Sequence, residues 1–168
     1  MKKTKILTLM ALFVAITVLF KNFATFFLFG TTKFGLSFIP AAISSAMLGP
    51  LLGGIMGGIS DVVGYFIKQD GAFFPGFTIS AILKGIIYGL FLFKKPKNIL
   101  NIFMAIIVSI VFVDLALNAI WINMLYGTPL KAVYISKSTT LPIYAVLQGV
   151  IMYVIFKYLD KEISKIIE

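Results

Sequence analysis

Long apolar runs broken by glycines, prolines and lysine clusters make up most of this chain, and only 12% of its 168 residues are charged. A soluble domain carries about 25% charged residues. Half that proportion leaves too little polar surface to solvate a globule, so the chain reads as an integral membrane protein. A bilayer core about 30 Å thick needs about 20 apolar residues per helix. Six segments stand out, at 5–29, 36–48, 51–68, 75–93, 98–125 and 139–159. The expected fold class is all-α integral membrane, a six-transmembrane-helix bundle forming one domain over residues 1–168. Residues 36–48 reach only about 20 Å as a helix and need a protein surround or a locally thinned bilayer. The KKTK start followed by an apolar run has the shape of a signal peptide. The run is long and no A-x-A site closes it, which favours a span.

An even number of spans places both termini on one side, and the lysines choose which. All 15 basic residues are lysine, against 6 acids. With the N-terminus cytoplasmic, Lys2, Lys3, Lys5, Lys94, Lys95, Lys97, Lys157, Lys161 and Lys165 fall inside. Lys21, Lys33, Lys68, Lys131 and Lys137 fall outside. Nine against five supports cytoplasmic termini. The net charge of +9 then sets orientation rather than marking a nucleic-acid partner. The chain has neither cysteine nor histidine, which excludes thiol chemistry, iron–sulfur clusters, the usual zinc sites and a catalytic triad. No enzyme activity, metal or cofactor is expected.

Ionisable groups inside a bilayer are costly and mark functional sites by default. Asp61 and Lys84 fall near the midplane of the third and fourth spans and Asp114 in the outer half of the fifth, close enough for all three to meet in one cavity. One lysine cannot neutralise two aspartates, and the excess carboxylate calls for a ligand, a proton or polar neighbours. Helical spacing gathers neighbours around them: Asn118 and Trp121 with Asp114, Tyr65 with Asp61, Phe77 and Tyr88 with Lys84. The stripes describe a pocket with aromatic walls and a polar floor, suited to a flat, partly anionic organic molecule. Lipid-facing aromatics, or an ion pair that only locks two helices, account for the same stripes less fully. The segment KQDGAFFPGF, with Phe73 and Phe74, reads either as an interfacial aromatic belt or as a lid over such a pocket, and FFLFGTTKFG, with hinge candidates Gly30 and Gly35, is a second lid candidate. Gly53 with Gly57, and Gly54 with Gly58, form G-x-x-x-G pairs that either close the bundle or offer a docking strip.

The segments FGLSFIPAAISSAMLGPLLGGIMGGISDVVGY, FFPGFTISAILKGIIYGLFLF and NAIWINMLYGTP resemble the folate-specific substrate-binding (S) components of energy-coupling factor (ECF) vitamin transporters. The resemblance covers about residues 5–130 and weakens over KAVYISKSTTLPIYAVLQ. It implies a six-helix subunit in the plasma membrane of a prokaryote, with an outward vitamin pocket. It also implies partners, namely a transmembrane coupling protein and two cytoplasmic ATPases. The family's A-x-x-x-A docking motif falls on Ala11 and Ala15. For a folate-like ligand, Asp61 or Asp114 would accept the pterin donors and Asn118 would assist. Tyr65, Phe74 and Trp121 would stack on the ring, with Phe77 beside them. Lys33, Lys68, Lys131 or Lys137 would hold the glutamate carboxylates, and Lys84 would balance Asp61. The chain has no P-loop, so ATP would be used by partners alone. The rival expectations are a self-sufficient proton- or ion-coupled transporter and an S component for another vitamin.

Overall fold

A computed structural model describes residues 3–28, 32–69 and 71–167, with side chains described outside 25–34 and 160–167. Helix α1 spans Lys3–Phe23 and is followed by an antiparallel hairpin of β1, Thr25–Leu28, and β2, Thr32–Gly35, with Phe26 opposite Phe34. Then come α2 (Phe38–Leu48), α3 (Pro50–Ile67), α4 (Pro75–Leu92), α5 (Ile99–Ser109), a wide π-helical segment (Ile110–Leu117), α6 (Asn118–Tyr126) and α7 (Leu130–Ile167). The regular elements among the described residues are thus helical apart from one hairpin, which occupies part of the segment read as a loop. Gly30, one of its hinge candidates, lies outside the described residues, as does the side chain of Lys33.

Among the described residues, five helical stretches are long and apolar enough to cross a membrane: Lys3–Phe23, Pro50–Ile67, Pro75–Leu92, Ile99–Tyr126 and Leu130–Leu159. Large apolar side chains such as Leu7, Leu12, Leu51, Phe66 and Phe112 point outward, as lipid-facing residues do. Helix α2 is a shorter apolar element, about 16 Å long at 1.5 Å per residue. Eight of its eleven residues are buried, so other helices surround it instead of lipid.

Local chemistry fixes the boundaries. Pro50 and Pro75 each stand in the first turn of their helix, where the missing N–H breaks no bond. Asn98 caps α5, its side chain accepting from the Asn101 N–H at 3.0 Å. Gly127 ends α6 at φ 65°, a left-handed turn that favours glycine. Phe38, Met47, Leu92, Ile102, Ile106, Met152 and Phe156 form a core joining α2, α4, α5 and α7.

The glycine pairs serve the contact between α3 and α4. A Cβ on Gly54 would sit 2.8 Å from Ile86 Cγ1, and one on Gly58 would sit 2.9 Å from Ile82 Cγ1. A Cβ on Gly57 would strike the Ala81 carbonyl, and one on Gly85 the Gly53 carbonyl. These glycines close the bundle from within, which removes them as a docking strip.

Candidate functional site

The turns that join α1 to α2, α3 to α4 and α6 to α7 lie at one end of the bundle. Between α1, α3 and the turn after α3 is a cavity of about 320 Å³. Lys21 and Asn22 reach it from α1, Asp61, Tyr65 and Lys68 from α3, and Phe74 and Phe77 from the start of α4. A smaller cavity of about 180 Å³ lies deeper, where Ser60, Lys84 and Tyr88 reach it. Lys21 and Asp61 line both.

The pairing of charges differs from the sequence expectation. Lys21 Nζ lies 2.5 Å from Asp61 Oδ1, and Thr78 donates to Asp61 Oδ2 at 2.8 Å. Lys84 does not balance Asp61. It pairs with Asp114, Nζ to Oδ1, at 2.9 Å. The reason is the reach of α1, whose last turn brings Lys21 to Asp61 as a second intrabundle lysine. Both aspartates are therefore compensated. Thr17, Lys21 and Asn22 recur at four- and five-residue spacing, and this polar edge of α1 was the available signal.

Around Asp114, Asn118 Nδ2 donates to Oδ1 at 3.0 Å, as their four-residue spacing predicts. Lys137 Nζ donates to the Asp114 carbonyl, so it braces the π-helical segment from α7 and does not stand at the rim. Asp114 Oδ2 and Asn118 Oδ1 are buried without a hydrogen-bond donor. Such unsatisfied acceptors are uncommon in folded proteins and call for an explanation.

The aromatic residues around the cavity form two groups of ring contacts. Tyr65 and Phe73 have ring centroids 5.1 Å apart, and Phe74 contacts both Phe77, at 6.0 Å, and Trp121, at 5.7 Å. Trp121 stands behind Phe74, and its Nε1–H donates to Ser80 Oγ at 3.1 Å. Gly76 makes room for it, since a Cβ there would fall 2.6 Å from Trp121 Cδ2. Sequence reasoning also missed Asn22, Thr78 and Tyr126. Asn22 and Tyr126 line the larger cavity. On α1, Ala11 and Ala15 are both exposed and share the outward side of the helix.

A membrane helix bundle with a polar, aromatic-walled cavity at one end is the architecture of a small-molecule carrier. Residues 5–167 match the model of the family "ECF transporter, substrate-specific component", and the chain belongs to that family. The match continues through α7, beyond the residue 130 at which the sequence resemblance faded. The chain is 34% identical over 161 residues to a protein of Clostridium novyi (strain NT) named folate transporter FolT, covering 96% of this chain and 93% of that one. It is also similar to a crystal structure of FolT bound with folic acid, with a TM-score of 0.83 and 29% identity, covering 90% of this chain and 92% of that one. A crystal structure of the S component for biotin from an ECF-type ABC transporter shares the fold, with a TM-score of 0.66 at 22% identity over 92% of each chain. These relatives are transporter components, not enzymes.

Proposed function

We propose that this chain is the folate-binding subunit of an ECF-type importer, a single domain through residues 1–168. It captures folate or a related pterin vitamin outside a prokaryotic plasma membrane and hands it to an ATPase-driven module. The observation that carries the reading is the 320 Å³ cavity, polar at Asp61 and Lys21 and walled by Tyr65, Phe74 and Phe77, in a chain similar to FolT bound with folic acid. A ring stacks on such walls. A carboxylate accepts the paired donors of a pterin edge. Asp61 is the acceptor within reach of that cavity. Asp114 and Asn118, with their unsatisfied oxygens, are the second acceptor set. Lys33 and Lys68 are the candidates for the glutamate carboxylates, while Lys137 and Lys84 support Asp114. Trp121 backs the stacking wall through Phe74.

The cavity end faces outward and both termini face the cytoplasm, with α2 completing six helices; the nine-to-five lysine distribution supports this. No cofactor belongs to the subunit, and ATP is used only by its partners. Those partners are a transmembrane coupling protein, docked along α1 at Ala11 and Ala15, and two cytoplasmic ATPases. Small exposed residues at this spacing allow close helix approach. A self-sufficient proton carrier gains no support, because both intrabundle carboxylates already face lysines.

Replacing Ala11 and Ala15 together by leucine tests the assignment in cells that also make the ECF module. Folate binding should persist while uptake falls at least tenfold. Uptake at the wild-type level would remove the docking role, and uptake by the chain without the module would overturn the importer reading.

A further inference from the structure

The Lys21–Asp61 pair sits where the two cavities meet, since both residues line each of them. Its hydrogen bonds are unevenly used. An ionised carboxylate offers about four acceptor sites and an ammonium three donors. Asp61 receives Lys21 on Oδ1 and Thr78 on Oδ2, which leaves one site open on each oxygen. Lys21 gives one hydrogen to Oδ1 and makes a longer contact, at 3.4 Å, with the Asp61 carbonyl. A third donor remains. Thr78 anchors Asp61, whereas the Lys21 side chain is 38% exposed against 14% for Asp61, so the lysine has room to shift. Its stem crosses Gly64, where a Cβ would lie 3.2 Å from Lys21 Cδ.

The open positions form a pattern: two adjacent acceptors with a cationic donor beside them. The edge of a 4-oxopteridine carries the complement, a 2-amino donor, an N3–H donor and an O4 acceptor in a row. We infer that Lys21 and Asp61 act as one reader of that edge, Asp61 accepting the 2-amino and N3–H hydrogens and Lys21 donating to O4. This inference rests on the folate reading of the site and adds the group that selects the oxidation pattern of the ring. Lys21 rejects a 4-amino ring because two donors then face each other. It also disfavours the protonated form of that ring by charge repulsion. A site built to hydrogen-bond a substrate group rejects an analogue that leaves the site's buried polar groups unpaired more strongly than an apolar pocket rejects a change of one methylene.

The experiment is a pair of binding titrations, folic acid against its 4-amino analogue aminopterin, on the wild type and on Lys21→Met. The wild type should prefer folic acid at least tenfold, and Lys21→Met should lower the ratio at least threefold, the remainder coming from Asp61, which faces the unprotonated N3 of the 4-amino ring. Should Lys21→Met fail to fold because Asp61 is left unpaired, Lys21→Met/Asp61→Asn removes both charges together. The ratio is expected to fall at least as far there, because the carboxylate that rejects an unprotonated N3 is also gone. A ratio unchanged from the wild type in the folded variant overturns the role of Lys21 and leaves folate binding standing. A wild type that binds neither compound overturns the folate reading itself.

Discussion

The two halves of this bundle are held together by different means. Helices α3 and α4 meet through glycine, with backbone against backbone at Gly53, Gly57 and Gly85. The later half, α5 through α7, is joined to α4 and within itself by side chains. Lys84 and Lys137 both bond to Asp114, Gln148 Nε2 donates to the Tyr88 hydroxyl, and Pro142 interrupts the bonding of α7. Opposite α7, the chain widens into the π-helical segment, the kind of irregularity that often accompanies a functional site. Backbone contact permits one arrangement only, whereas long side chains re-form at small displacements. The first half is held by backbone contact and carries most of the cavity lining, whereas the second is held by side-chain bonds.

The largest effect should come from filling the glycine contact. Gly85→Val drives a side chain into the Gly53 carbonyl and should yield no monodisperse protein in detergent by size exclusion. At Gly149 the same valine meets only the Phe103 ring edge, with Cβ about 3.0 Å from Cε2, and should cost about 1 kcal/mol. Equal thermal stability of the two variants would erase the contrast between the halves.

Next in size is Asp114→Ala, which leaves Lys84 without its carboxylate. Breaking such a partly buried pair costs about 3 kcal/mol, to be read from thermal unfolding. Adding Lys84→Met should recover most of the loss, because the orphaned charge is then gone. Absence of that rescue would mean Asp114 acts through Asn118 instead. The smallest effect belongs to Lys137→Met. It removes one hydrogen bond to the Asp114 carbonyl and should cost about 1 kcal/mol. A loss as large as that of Asp114→Ala would make Lys137 a main support of the π-helical segment.

Apolar run length was enough to mark where helices fall, including the short one beginning near Phe38. It failed at α7, which begins at Leu130 rather than near 139. The polar stretch Lys137–Thr140 reads as a break, yet Ser138 and Thr139 return their hydroxyls to the Ile135 carbonyl and Thr140 to that of Ser136. The helix thereby satisfies its own polar groups and continues. The hairpin β1–β2 was hidden for a different reason, since four-residue strands carry too short an alternation to separate from a loop. In the site, depth along each span brought Asp61, Lys84 and Asp114 into view. Partner choice did not follow from depth, because it depends on how α1 leans against α3. Lys21 could be seen only as a lysine near a helix end.

The central claim is that the outward cavity holds a folate. Trp121 is the chain's only tryptophan, and it contacts Phe74, which lines that cavity. Titrating the purified subunit, without coupling protein or ATPases, with folic acid should quench Trp121 fluorescence saturably, with a submicromolar dissociation constant and one site per chain by equilibrium dialysis. Absence of saturable binding at micromolar folic acid or reduced folate would contradict the account.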